Sequence, residues 1–165
     1  MGSTSRVFAA ARETKTRIAA LAIPAASAGL RAPQVALAKP DPTAHEEIIW
    51  VRPEVGDDGS IVVAKPCVRD EEFDVTVEFW SDTGSVDDDA ILDRLEAVCD
   101  LIQAAFHDVA TGKPIPLTGA TKMSDISQVN FAIFPKTATD DLGIERATGT
   151  LTGVATITIR PRYRI

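Results

Sequence analysis

The residues that could do chemistry in this 165-residue chain are few, and they lie in short strings. Asp82-Thr83-Gly84-Ser85 is a string able to hold a catalytic carboxylate. Two such loops, brought together by dimerisation, share one proton and activate water, which is aspartic-protease chemistry. His107 has Asp108 beside it, but adjacent positions on a helix do not face each other. His45 stands in a proline-rich loop. Thr111-Gly112-Lys113 lacks the upstream glycine of a phosphate loop and runs into Pro114. No serine sits in a G-x-S-x-G elbow. Cys67 and Cys99 have no C-x-x-C partner, and both read as small reduced core residues. The expectation is an assembly without catalytic residues, cofactor or metal ligands.

The flanking elements say what the Asp82 string is for. Arg69–Trp80 alternates: Phe73, Val75, Val77 and Phe79 share one face, opposite Glu72, Asp74, Thr76, Glu78 and Trp80. That pattern predicts a strand with one core face and one acidic face. A helix follows over about 86–107, with Ile91, Leu92, Leu95, Val98, Cys99, Ile102 and Phe106 on its apolar stripe. Ser85 reads as its N-cap, with Asp88 in the capping-box position. Asp87, Asp88 and Asp89 crowd the first turn, where negative charge meets the positive end of the helix dipole. Four neighbouring carboxylates would disturb proton sharing in a dyad. Asp-Thr-Gly-Ser is therefore read as a strand-to-helix corner.

Elsewhere the periodicity predicts a first helix over about 6–22, capped by Ser5 and stopped by Pro24. A short strand is expected at Gln34–Ala38 and a buried one at Glu46–Arg52, ended by Pro53. With Ile61–Ala64, and Asp57-Asp58-Gly59 as turn, 48–64 is expected to form a hairpin. A strand over 127–134 is ended by Pro135, the stretch 136–153 reads as mobile with a short strand near 144–147, and Val154–Arg164 is the last strand. On that last strand Ala155, Ile157, Ile159 and Tyr163 oppose Thr156, Thr158, Arg160, Arg162 and Arg164. Two uses of the arginines stand open: pairing with Glu72, Asp74 and Glu78 inside one sheet, or contact between subunits. The second makes these six residues the expected interface.

The whole chain, 1–165, reads as one domain: an N-terminal helix and Ala/Pro-rich segment over 1–44, then sheet and long helix over 45–165. Ile18–Ala28 ends in a small-x-small pattern, but it is alanine-rich, broken by Pro24 and preceded by a long stretch holding Glu13, so it reads as structural. Charge is segregated. Residues 1–40 hold six basic side chains and one acidic, residues 41–100 hold four and eighteen, and residues 101–165 hold seven and five. An acidic middle argues against a nucleic-acid partner, which needs a coherent basic face. It is either a solvated surface or one half of an acidic-to-basic contact between copies.

The order of elements, with Arg69, Glu71, Phe73, Val75 and Val77 on the long strand, Ile91, Arg94, Leu95 and Glu96 on the helix and the closing "ATITIRPRYRI", resembles the tail terminator proteins of long-tailed bacteriophages. The resemblance implies an α+β subunit, with a mixed, mostly antiparallel sheet carrying two main helices on one face, that forms a hexameric ring. Such a ring caps the tail tube, ends its polymerisation and joins the tail to the head–neck complex. The partners implied are further copies of the chain, the major tail tube protein and a neck or head-completion protein, with neither sequence-specific nucleic acid nor membrane. The implied place is the tail–neck junction of the virion, reached from the host cytoplasm during assembly. Segments 53–68 and 108–128 exceed the pattern and are expected to be arms toward neighbouring proteins. Another neck or tail ring component (a stopper or tube protein) and a non-catalytic ligand-binding α+β domain remain the alternatives.

Overall fold

The computed structural model describes residues 3–39, 46–54, 60–65, 68–123, 126 and 129–164. In chain order these form α1 (Ser3–Ala19), β1 (Gln34–Ala36), β2 (Glu47–Glu54), β3 (Ser60–Lys65), β4 (Val68–Glu72), β5 (Asp74–Ser81), α2 (Asp88–Ala104), β6 (Ala120–Met123), β7 (Val129–Thr139), β8 (Glu145–Ile159) and β9 (Pro161–Arg164). The expected α+β class, two helices and largely antiparallel pairing are present. The strands make a five-stranded sheet, β1-β2-β5-β8-β7, and a four-stranded sheet, β3-β4-β9-β6. Within the first, β1 runs parallel to β2 and every other neighbouring pair is antiparallel.

Two sheets arise where one was expected because two long runs of chain each serve both. The run from Val68 to Ser81 leaves regular pairing at Phe73, and the run from Glu145 to Arg164 does so at Arg160. Pro161, with no N–H to give the ladder, follows the second break. Phe73 stacks flat on Tyr163 beside the corner, with ring centroids 5.4 Å apart and planes 7° off parallel. The expected 48–64 hairpin is not formed: β2 pairs with β5 and β3 pairs with β4, so both run along the same long strand. Residues 55–59, which hold its turn signal, lie outside the described residues, as does His45. Pro53 does not end β2 but sits inside it, opposite Val75.

One face of the five-stranded sheet holds the core. Val75, Val77, Phe79, Ile49, Val51, Ala155, Ile157 and Ile159 are almost wholly buried there, as the alternation requires. α1 covers β1 and β2 with Val7, Ala10, Ala11 and Ile18, and α2 covers β5, β7 and β8 with Ile91, Leu95, Val98, Cys99 and Ile102. Gly153 of β8 is where the helix comes closest. A Cβ there would overlap Ile91 Cγ2 and lie 3.0 Å from Leu95 Cδ1. α1 begins before Ser5 and ends at Ala19 rather than Ala22, which takes a left-handed φ of 48° in the turn toward Pro24. β1 stops at Ala36, two residues short of its expected end.

The segments read as arms contribute strands. In 53–68, β3 and the start of β4 belong to the four-stranded sheet. In 108–128, β6 joins the same sheet against β9, with Leu117, Met123 and Ile126 buried. The stretch expected to be mobile, 136–153, instead forms the outer part of a long β7–β8 hairpin and, at Thr152 and Gly153, reaches its base. Pro135 does not end β7: the strand runs through it to Thr139, with a register shift between Pro135 and Thr137.

Candidate functional site

The Asp82 corner is built as a joint. Asp82 N–H donates to Glu46 O at 2.7 Å, and its carboxylate pairs with Lys136 of β7. Gly84 turns the chain with a φ of 76°, the left-handed region that glycine enters without strain. The helix cap differs from expectation. α2 starts at Asp88, and Asp87 is the N-cap, its carboxylate accepting from Asp89 N–H at 3.1 Å. Ser85 makes a local turn one step earlier, accepting from Asp87 N–H at 3.1 Å, while its carbonyl accepts from Leu151 N–H at 2.9 Å. A shorter side chain two residues upstream folds the approach, and the acid caps the helix. The carboxylates of Asp87, Asp88 and Asp89 crowd within 4.8 Å at the exposed helix start, where the dipole offsets their repulsion.

The six residues expected at a subunit contact are placed on the outer face of the sheets, and four pair with one another inside the chain. Arg160 holds Asp74 by two bonds, Nε to Oδ1 at 2.6 Å and Nη2 to Oδ2 at 2.9 Å. This fork raises the Arg160 pKa above its ordinary value, first through the hydrogen bond and then through the charge of Asp74. Arg162 pairs with Glu72, its register partner across β4 and β9. Glu78 takes a different partner. Arg52 Nη2 reaches its carboxylate at 3.0 Å, and Trp80 Nε1 donates to it at 3.1 Å. Arg164 stands opposite Asp70 in the register, and its carbonyl accepts from Arg6 of α1 at 3.2 Å. Cross-strand pairing is thus one use the molecule makes of this ladder.

One further ion pair, Glu47–Arg94, was not singled out by sequence. Glu47, only 3% exposed, accepts from Arg94 Nε at 2.9 Å and Nη2 at 2.6 Å, and from Ser81 Oγ at 3.0 Å. Arg94 Nη2 also donates to Pro24 O at 2.7 Å, and the guanidinium lies 5.9 Å from the Phe79 ring centroid. One arginine therefore joins α2, β2 and the chain leaving α1. The signal was there in the sequence, an arginine inside an apolar stripe and an acid beside Ile48-Ile49, but nothing in spacing joins two residues 47 apart.

The β7–β8 hairpin has two halves. At its base, Val129–Phe134 pairs with Thr152–Ile157 above α2. Farther out, every residue from 137 to 149 except Asp140 is exposed. The turn is organised by Asp140, whose Oδ1 accepts from Leu142 and Ile144 N–H at 2.9 and 3.0 Å and whose Oδ2 accepts from Arg146 Nε at 2.6 Å. Those bonds, led by the arginine, hold the Asp140 pKa below the ordinary carboxylate value. Leu142 is 79% exposed and Ile144 50% exposed at the tip. At the base Phe131 and Phe134 are also exposed, and Phe134 meets Trp80 edge-on at 6.2 Å.

Of the histidines, His107 Nδ1 lies 2.8 Å from Gln103 O, and the residue pairs with Pro114 in an isolated bridge. Cys99 is buried against the sheet, and burial pushes its thiol up to about 12. Cys67 is outside the described residues. A shallow groove runs where α1 meets β9, lined by Arg6, Glu13, Thr118, Tyr163 and Arg164. Among the described residues no helix is long and apolar enough to cross a membrane. The chain matches no known family model, and no curated protein is significantly similar to it.

Proposed function

We propose that this chain is a structural, ring-forming subunit that terminates the tail tube of a long-tailed bacteriophage and presents a docking surface to the neck. The observation that carries the proposal is the β7–β8 hairpin. Among the described residues no helix or further strand packs on its outer half, yet it ends in Leu142 and Ile144. A two-stranded ribbon alone is marginal in water, and exposed apolar tips mark contact surfaces. A subunit that reaches past its own core with a stiff ribbon is suited to assembly.

Two of the described polar residues with chemical potential support a non-catalytic role, since each has a structural task. Asp82 is paired with Lys136, and His107 lies against the turn after α2. Segregated charge adds to this. A tube of stacked rings has no intrinsic end, so its termination needs a subunit with two different faces, one matching the growing surface and one failing to reproduce it. The sequence resemblance to tail terminators gives the same job.

Electron microscopy of particles made without this protein tests the proposal. Tails of uncontrolled length, or tails that do not join heads, are expected. Free tails of normal length that still attach to filled heads would refute it. Filled heads losing DNA beside tails of normal length would instead make the protein a stopper.

A further inference from the structure

The hairpin suits contact with a neighbour, but it does not say which surfaces of two copies meet. The layout of the five-stranded sheet does. β1 is one edge and β7 the other, and following the pairings across the sheet, β1 and β7 run in opposite directions. A second copy set beside the first, with its helices on the same face, would bring its β7 edge antiparallel to β1. β7 offers Val129–Phe134 for this, six residues without proline on an edge that pairs with no further strand among the described residues, with Phe131 and Phe134 exposed. Long apolar edges of this kind are templates for pairing with another chain.

The helices carry charge of opposite sign on their exposed surfaces. On α2, Arg94 reaches toward Glu47 and Pro24 on one side, and Gln103 donates to Ile126 O on the other. Asp89, Asp93, Glu96 and Asp100 follow the helical spacing i, i+4, i+7 and i+11 on the exposed face opposite the buried stripe, with Asp89, Glu96 and Asp100 inclined to the Gln103 side, away from Arg94. Like charges at this spacing repel one another along the helix. None of the four makes an ion pair with another described residue. On α1, Arg17 and Glu13 turn toward the 115–118 segment. Phe8, Arg12, Lys15 and Ala19 occupy the opposite flank, on the β1 side, with Phe8 44% exposed. Arg31 and Lys39 flank β1 and are exposed.

We infer that copies of this chain associate head to tail through these two edges, β7 and the acidic flank of α2 on one copy meeting β1 and the basic flank of α1 on the next. The inference deepens the ring reading and rests on it. It names the ring's interface and the second copy as its occupant. Such a contact is heterologous, so it closes into a ring or runs on as a filament, and both edges of the sheet are covered in either case. Arg160, Arg162, Glu72 and Asp74 keep their internal pairs and stay out of it.

Charge reversal on each flank, read by light-scattering mass, tests the interface. Wild-type protein is expected to form a multimer of the 17.6 kDa chain that loosens as salt is raised. Asp93→Lys with Glu96→Lys and Asp100→Lys leaves Asp89 as the only acid of the four on α2 and makes both flanks basic, and Arg12→Glu with Lys15→Glu makes both acidic. Each variant alone is expected to run as the 17.6 kDa monomer with an unchanged circular dichroism spectrum. An equal mixture restores every contact in alternation, and the multimer is expected to return. Should a reversed variant fail to fold, the milder Asp93→Asn with Glu96→Gln is expected to weaken the multimer several-fold. A wild-type protein that stays monomeric at every concentration, or reversed variants that keep the wild-type mass, would overturn the interface. Particle morphology without the protein decides the ring reading separately, so failure of one is distinguishable from failure of the other.

Discussion

The two halves of the β7–β8 hairpin are the same pair of strands in two settings. At the base, Gly153 lets α2 approach, and Ala155 and Ile157 are buried over the core. Beyond Pro135 the ladder continues between the same two strands, yet the side chains meet solvent on both faces. Backbone pairing resumes beyond the register shift between Pro135 and Thr137, so the loss of pairing is not what separates them. Burial is. The base is specified by what the chain packs against itself; on the proposed function, the outer half is specified by a neighbour's surface. Stability and assembly should therefore be separable by mutation.

The largest effect is expected beside the base, at the ion pair that fixes α2. Arg94→Met leaves Glu47 charged, buried and unpaired, which should cost about 3–5 kcal/mol. Chemical denaturation measures it. If Glu47→Leu added to Arg94→Met does not recover much of the loss, the penalty is not one of an uncompensated charge. Gly153→Ala comes next, since the added methyl must displace Ile91 and Leu95, at about 1–3 kcal/mol. A neutral result there would mean that α2 shifts freely over the base.

Smaller effects belong to the outer face. Breaking the exposed Arg160–Asp74 fork with Arg160→Ala should cost about 1 kcal/mol or less. Asp82→Asn should fall in the same range, about 1 kcal/mol, because Lys136 is partly exposed and can turn to water. Peptide cleavage lost in that variant would contradict its role as a joint. At the tip, Leu142→Ser with Ile144→Ser should change folding stability by only about 0.5 kcal/mol while weakening assembly, since neither side chain has a core to leave. A large loss of stability would show that the outer half supports the fold after all. Lowering pH below the ordinary carboxylate range should loosen the same turn. Asp140 has a depressed pKa in the folded state, so its contribution is present above that range and fades as protonation releases Arg146.

What could be read in the sequence follows the same division between self-packing and the rest. The alternation of Phe73, Val75, Val77 and Phe79 and the stripe from Ile91 to Phe106 located the central strand and α2, because period alone reports a buried face. The bends at Phe73 and Arg160 were not legible, since a strand that changes sheets keeps its alternation. β6 was missed because four residues, only one of them buried, leave little pattern. The hairpin's outer half carried no hydrophobic period, and its turn residues, Asp140-Asp141-Leu142-Gly143, read as a mobile loop when they were closing a ribbon. At the corner Ser85 was read as the cap, but α2 starts three residues after it, at Asp88, which puts Asp87 in that place. Alternation also marked the charged faces in the runs 68–81 and 145–164, although Thr76, expected among the outward residues, is buried. Which residues would pair across them depended on a register that only the folded chain sets.

The most direct measurement is an image of the native particle at a resolution that traces the chain. Six copies in a ring at the junction of tail and neck are expected, with the Leu142–Ile144 tip of each copy covered by a neighbouring protein. Density for this fold elsewhere in the virion, or a ring whose hairpins all end in open solvent, would contradict the proposed function.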